Sequence, residues 1–181
     1  MNGHPGGKKH TQQIIELSGL KPPAKVLDMG AGSGESVKLL QDLGFDAEGI
    51  DLKEACASDN VAEKNTLVTY GDFLSPSYDA NHFDGILSQC AFYVSGNVHQ
   101  AFLSAHRLLK PNGIFMLSDV CPKDTSLKDA AKTTGFEILH YEDLTPAWKE
   151  YYIEAIWRGT ACSFPCSKKM NYEMLICKKL P

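Results

Sequence analysis

The sequence predicts an α/β fold built on a single doubly wound, seven-stranded, mostly parallel sheet. Three observations predict it. Short apolar runs alternate with helix-like segments along the chain, the pattern of βαβ crossovers packed on both faces of a parallel sheet. A glycine cluster, Gly30-Ala31-Gly32-Ser33-Gly34, joins the first apolar run to the first of these helices. The chain has 181 residues, 43% of them apolar, and a net charge of −4, which suits one domain with one core and disfavours disorder.

The elements follow in order. Ala24 to Met29 reads as a strand closed by glycines. Glu35 to Leu43 reads as a helix with Val37, Leu39, Leu40 and Leu43 available for an inner face. Ala47 to Leu52 is a second strand, Lys53 to Ala62 a helix, and Thr66 to Tyr70 a third strand. Phe83 to Ser88 is the fourth. Val98 to Leu109 is a helix with Ala101, Phe102, Ala105, Leu108 and Leu109 apolar. Pro111-Asn112-Gly113 reads as a turn before a fifth strand, Gly113 to Ser118. A short helix near Ser126 to Thr134, a strand over Phe136 to Tyr141, a helix from Ala147 to about Arg158 and a strand from Tyr172 to Cys177 complete the chain. Residues 1–10, 75–81, 91–97 and 159–171 read as loose segments of the kind that supply lids and pockets.

Composition narrows the partners. The chain is mildly acidic, and its basic pairs (Lys8-Lys9, Lys168-Lys169, Lys178-Lys179) are scattered, so nucleic acid is not expected as a partner. No apolar run approaches the roughly 20 residues that cross a bilayer, and residues 1–9 lack the apolar stretch of a secretory signal. A cytoplasmic location without membrane association is expected. The six cysteines are irregularly spaced and contain no C-x-x-C, which favours reduced thiols. No metal site is expected. Cys162 and Cys166 are too isolated a pair, and Cys90 is read as a pocket wall.

The glycine loop carries the strongest signal. Glycines after a strand and before a helix let the backbone turn sharply and lie against a ligand, while the helix N-terminus offers unpaired N–H groups to an anion. A dinucleotide-binding loop would place Gly or Ala where Glu35 stands. A carboxylate in the first turn disfavours a pyrophosphate there. A ligand carrying one carboxylate and a net positive charge fits better.

On these residues the chain resembles the class I S-adenosylmethionine-dependent methyltransferases, in their small-molecule, UbiE-like branch. The resemblance rests on Asp28 to Gly34, Gly49-Ile50-Asp51-Leu52, Tyr70-Gly71-Asp72-Phe73, and His82 to Ser88 followed by Arg107 to Gly113. It covers roughly residues 20–120, with a continuation to the end, and implies a Rossmann-like methyltransferase fold whose last strand is antiparallel. It also implies one domain over residues 1–181, with residues 1–22 as an N-terminal lid or helix. Its cofactor would be S-adenosylmethionine, with S-adenosylhomocysteine as product. Gly30, Ala31 and Gly32 would approach the methionine part with their backbone, and Asp28 would hold that loop and reach the ammonium through water. Asp51 would accept the ribose hydroxyls and Leu52 would pack on adenine. Asp72 would accept the adenine amino group with Phe73 beside it. Ser88 and Gln89 would face the ammonium and the transferring methyl.

The acceptor side is less defined. The Asn/Asp-Pro-Pro-Tyr signature of nucleic-acid amino methylation is absent, Ser88-Gln89-Cys90-Ala91 standing in its place. A small-molecule acceptor is therefore expected. Tyr93 and His99 are candidates for its pocket, and no catalytic residue is assigned. The chain is expected to be a monomer or homodimer. The competing readings are a nicotinamide- or nucleotide-binding Rossmann protein and a non-catalytic S-adenosylmethionine-binding module.

Overall fold

The computed structural model describes residues 5–52, 67–159 and 169–181. The strands are β1 (Lys25–Met29), β2 (Asp46–Asp51), β3 (Val68–Tyr70), β4 (Phe83–Gln89), β5 (Leu109–Pro122), β6 (Phe136–Asp143) and β7 (Met170–Lys179). The helices among the described residues are α1 (Gly7–Ser18), α2 (Glu35–Asp42), α3 (Val98–Leu108), α4 (Leu127–Thr133) and α5 (Thr145–Trp157). They form one seven-stranded sheet in the order β3-β2-β1-β4-β5-β7-β6, with β7 antiparallel to both of its neighbours. This is the predicted α/β architecture. The helix expected over Lys53 to Ala62 lies outside the described residues.

Hydrophobic burial fixes each helix to one face. Leu27, Ile86, Phe115, Leu117 and Leu175 pack with Ala101, Phe102 and Ala105 of α3 and with Leu127 and Ala131 of α4. On the opposite face Val26, Leu87, Met116, Met174 and Ile176 pack with Ile14 and Ile15 of α1 and with Val37 and Leu40 of α2. Strand residues alternate between the faces because successive side chains point to opposite sides of the pleat. The helix ends are set locally. Asn97 accepts the Gln100 N–H at 3.1 Å, and Ser126 accepts the Asp129 N–H at 3.1 Å, so each caps its helix.

Two segments differ from the sequence reading. Residues 7–10 read as loose but form the first turn of α1, which buries His10, Thr11, Ile14, Ile15 and Ser18. Its stripe mixes polar with apolar residues and so escapes a hydrophobic-periodicity search. The turn at Pro111-Asn112-Gly113 lies within β5, not before it. β5 pairs Leu109 with Phe83, then Ile114 with Gly85, and the register shifts between them. The turn residues produce a bulge, with Asn112 at φ 65°, rather than a strand end. Asp84 anchors it, accepting from Lys110 Nζ at 2.7 Å and from the Lys25 N–H at 2.9 Å.

The register brings the functional residues to one edge. β1 and β2 run parallel with Asp28 beside Gly49 and Met29 beside Ile50, so the chain leaves both strands at the same end of the sheet. Ligands of open α/β sheets bind at this carboxyl end, where the strand order reverses direction. Gly49 makes close packing there feasible, because a Cβ on it would lie 2.6 Å from Ala31 Cβ and 2.9 Å from Val37 Cγ2. Gly49→Ala is expected to overpack this contact and cost about 1–3 kcal/mol, read as a fall in Tm.

Candidate active site

The first glycine of the loop is held by backbone alone. The N–H groups of Gly30 and Ala31 both donate to the Ile50 carbonyl, at 2.9 and 3.2 Å. Gly30 has φ 84°, and a Cβ on it would lie 2.2 Å from Ala91 Cβ, so no other residue fits. Gly32 also has positive φ, 52°, but a Cβ there would meet nothing within 4 Å. The space over the Gly32 backbone is open. Gly34, at φ 84°, caps α2, and Glu35 occupies its first turn.

These residues line a cavity of about 440 Å³ with Asp28, Ala31, Ser33, Ser36, Leu39, Gln89 and Cys90. The α1 side supplies Gly6, Gly7, Lys8 and Thr11, and α5 supplies Tyr151. Thr11 Oγ1 donates to Gln89 Oε1 at 3.0 Å across the cavity floor, tying α1 to the end of β4. Gln89 Nε2 reaches Ser118 Oγ of β5 at 3.4 Å. Thr11 is 1% exposed and Gln89 9%, so this link is shielded from water.

Two carboxylates flank the loop in contrasting environments. Asp51 accepts the Gly32 N–H through Oδ2 and the Leu52 N–H through Oδ1, both at 2.6 Å. Asp28 is 3% exposed, and its carboxyl group has no hydrogen-bond partner among the described residues. Burial, with the nearby Asp51 charge adding to it, pushes the Asp28 carboxyl up from 3.8 to about 7. A buried acid facing a cavity without a donor is suited to a ligand cation. The N-terminus of α2, beside the open space over Gly32, suits a carboxylate. This donor set fits the amino-acid end of an adenosyl sulfonium ligand.

The other expected site residues are distributed unevenly. Asp28, Gly30, Ala31, Gly32 and Gln89 come together around the cavity. Ser88 does not: it is fully buried, and its hydroxyl donates to the Met29 carbonyl at 2.7 Å. In an alternating strand its side chain cannot share the face that Gln89 presents. Asp51 and Leu52 sit at the end of β2, with Leu52 49% exposed. Asp72 is exposed and accepts the Leu74 N–H at 2.8 Å, the geometry of a turn former. Phe73 is buried and stacks on Phe92, with ring centroids 5.7 Å apart. Tyr93 and His99 line a separate cavity of about 350 Å³ together with Cys121 and Leu127. That cavity shares no wall residue with the one at the glycine loop. Cys90 does stand in the wall, as expected, while Cys162 and Cys166 lie outside the described residues.

The sequence reading also missed residues. Lys8 and Thr11 line the cavity, and so does Tyr151, whose aromatic-rich helix reads from sequence as core or dimer surface rather than as a pocket wall. Thr11 carried a usable signal, since it precedes Ile14 and Ile15 by a helical turn and so falls on the apolar stripe. Asp119 is another. It is fully buried and accepts the N–H groups of Phe92 at 2.7 Å, Tyr93 at 3.3 Å and Val120 at 2.7 Å, fixing the loop after β4.

A family model described as a methyltransferase domain matches residues 8–152. The chain belongs to this family. Among its curated relatives, a sterol 24-C-methyltransferase of Gibberella zeae is 27% identical, covering 75% of this chain and 45% of the relative. A phosphoethanolamine N-methyltransferase of Plasmodium falciparum is 26% identical, covering 88% of this chain and 60% of the relative. The chain thus spans about half the length of these relatives. Among solved structures, phosphoethanolamine N-methyltransferase 2 of Haemonchus contortus, in complex with S-adenosyl-L-methionine, superposes with a TM-score of 0.77 at 21% identity, covering 98% of this chain and 54% of that one. A geranyl diphosphate C-methyltransferase of Streptomyces coelicolor gives 0.72 at 17% identity, covering 94% and 78%. These superpositions establish the Rossmann-like methyltransferase fold.

The raised Asp28 carboxyl has a measurable consequence. Its folded value lies above its unfolded one, so its stability contribution is complete below about pH 3.8 and is lost as pH rises through about 7. Asp28→Asn removes this loss. The ligand-free variant should match the parent's Tm at pH 4 and exceed it by about a few degrees at pH 8, measured by thermal denaturation.

Proposed function

We propose that the chain transfers a methyl group from S-adenosylmethionine to a small-molecule acceptor. The observation that carries this reading is the buried Asp28 carboxyl, which faces the glycine-loop cavity without a donor among the described residues. When bound, the sulfonium supplies a methyl group already activated for in-line displacement. The protein's residues bind and align. Asp28 holds the ligand ammonium, and the N-terminus of α2 holds its carboxylate, with the Gly32 backbone leaving room for the methionine part. Asp51 accepts the ribose hydroxyls, as a carboxylate with about four lone-pair sites can. Leu52, Asp72 and Phe73 form the adenine side. The Thr11–Gln89 bond keeps α1 across the methionine end and excludes water there.

Relatives named for sterols, phosphoethanolamine and geranyl diphosphate support a small-molecule acceptor. Glu35, exposed in the first turn of α2 and part of the cavity wall, weighs against a nicotinamide dinucleotide, whose pyrophosphate would meet that carboxylate.

Isothermal calorimetry tests the reading. S-adenosylhomocysteine is expected to bind, and Asp51→Ala to weaken it by about 10- to 100-fold, while NADH gives no heat. Binding of NADH in preference to S-adenosylhomocysteine would overturn the proposal.

A further inference from the structure

A second cavity, of about 380 Å³, lies between α1 and α5. It shares Gly6 and Tyr151 with the glycine-loop cavity, so the two adjoin through these walls. A further contact crosses the same boundary. Cys90 Sγ, of the first cavity, is 3.7 Å from the hydroxyl of Tyr172, of the second, which also donates to Ser118 Oγ at 3.1 Å. A molecule in the second cavity would therefore present its inner end to the methionine end of the first.

The lining has a definite chemistry. Trp148 and Tyr172 form an aromatic floor, their rings 6.2 Å apart and 19° from parallel. Leu144 and Ala147 extend it. At the rim stand Lys9 and Gln13 of α1 and Glu150 and Glu154 of α5. Two carboxylates against one lysine do not suit a phosphate, and an aromatic and apolar lining suits a ring.

His10 is the imidazole of this wall. It is 8% exposed, lines the cavity, and its ring lies 6.3 Å from that of Tyr172. The titratable groups around it are Lys9 on its own helix, Glu150, Tyr151 and Glu154 on α5, and Tyr172 on β7. Gly6 holds the chain against it. A Cβ at Gly6 would lie 2.7 Å from His10 Cβ, and Gly6 has φ 82°.

We propose that the α1–α5 cavity is the acceptor subsite, that it takes a small aromatic molecule bearing a hydroxyl or amine, and that His10 accepts the proton this group loses. The inference rests on the methyltransferase reading above. The acceptor's lone pair forms the bond to the methyl carbon as the carbon–sulfur bond breaks. The bonding pair stays on sulfur, and the acceptor's proton passes to the His10 imidazole.

The test uses the full chain saturated with S-adenosylhomocysteine and tyramine as probe, a ring with both a hydroxyl and an amine. Calorimetry should show tyramine binding that phosphoethanolamine does not displace. Ala147→Trp, a change at an exposed position on the cavity wall, should weaken tyramine by about tenfold or more and leave S-adenosylhomocysteine binding unchanged. His10→Gln should keep both affinities and lower kcat for labelled-methyl transfer to tyramine by about 100-fold, and His10→Ala should be rescued by added imidazole. Absence of tyramine binding, its displacement by phosphoethanolamine, unchanged affinity in Ala147→Trp, or full turnover in His10→Gln without imidazole would each overturn the subsite. Absence of S-adenosylhomocysteine binding would overturn the methyltransferase reading instead.

Discussion

Two carboxylates at the ends of adjacent parallel strands govern this site. Asp51 spends its charge on the loop, accepting two backbone N–H groups at 2.6 Å and fixing Gly32 in its positive-φ conformation. With Asp51 tied to the backbone, Asp28 is left buried beside a like charge and without a donor among the described residues. Burying an ionised carboxylate in this way is unfavourable, so in the ligand-free fold the group shifts toward its neutral form. A cationic ligand reverses that balance. The same contact that holds the ligand then relieves a cost carried by the protein.

The rest of the fold serves this arrangement. The β1–β2 register places Asp28 and Asp51 on either side of the loop, and Gly49 lets Ala31 and Val37 approach the sheet. Asp119, deep in the sheet, fixes the loop after β4 through backbone N–H groups. The Thr11–Gln89 bond and the α1 packing carry the N-terminal helix across the crest, where it lines both the glycine-loop cavity and the adjoining aromatic one. Residues far apart in the chain meet there because the crossovers return every parallel strand to the same edge.

Much of this was legible in the sequence, and the limits have physical causes. The first four strands and the glycine loop could be read because parallel strands are continuous apolar runs and the loop's glycines meet backbone constraints that no other residue satisfies. Ser88 reads from sequence as a ligand residue because position along a strand is easier to read than the face a side chain takes. Period-2 alternation sends it to the Met29 carbonyl and leaves Gln89 to face the cavity. Tyr93 and His99 follow β4 in sequence, yet the loop and the first turn of α3 carry them into a separate cavity beside α4. The α1 and α5 walls were the least legible. They come from the two ends of the chain, and their residues become neighbours only once β7 has paired with β5. His10, Tyr151 and Tyr172 carry no spacing signal that links them.

The account is tested most directly by titrating the Asp28 carboxyl carbon by NMR, without ligand and with S-adenosylhomocysteine bound. Without ligand the group should titrate near 7, and on binding the ligand's ammonium should draw it down into the ordinary carboxylate range. An unshifted value in the free protein, or one that stays the same when ligand binds, would contradict the claim that this buried acid is the ligand's cation site.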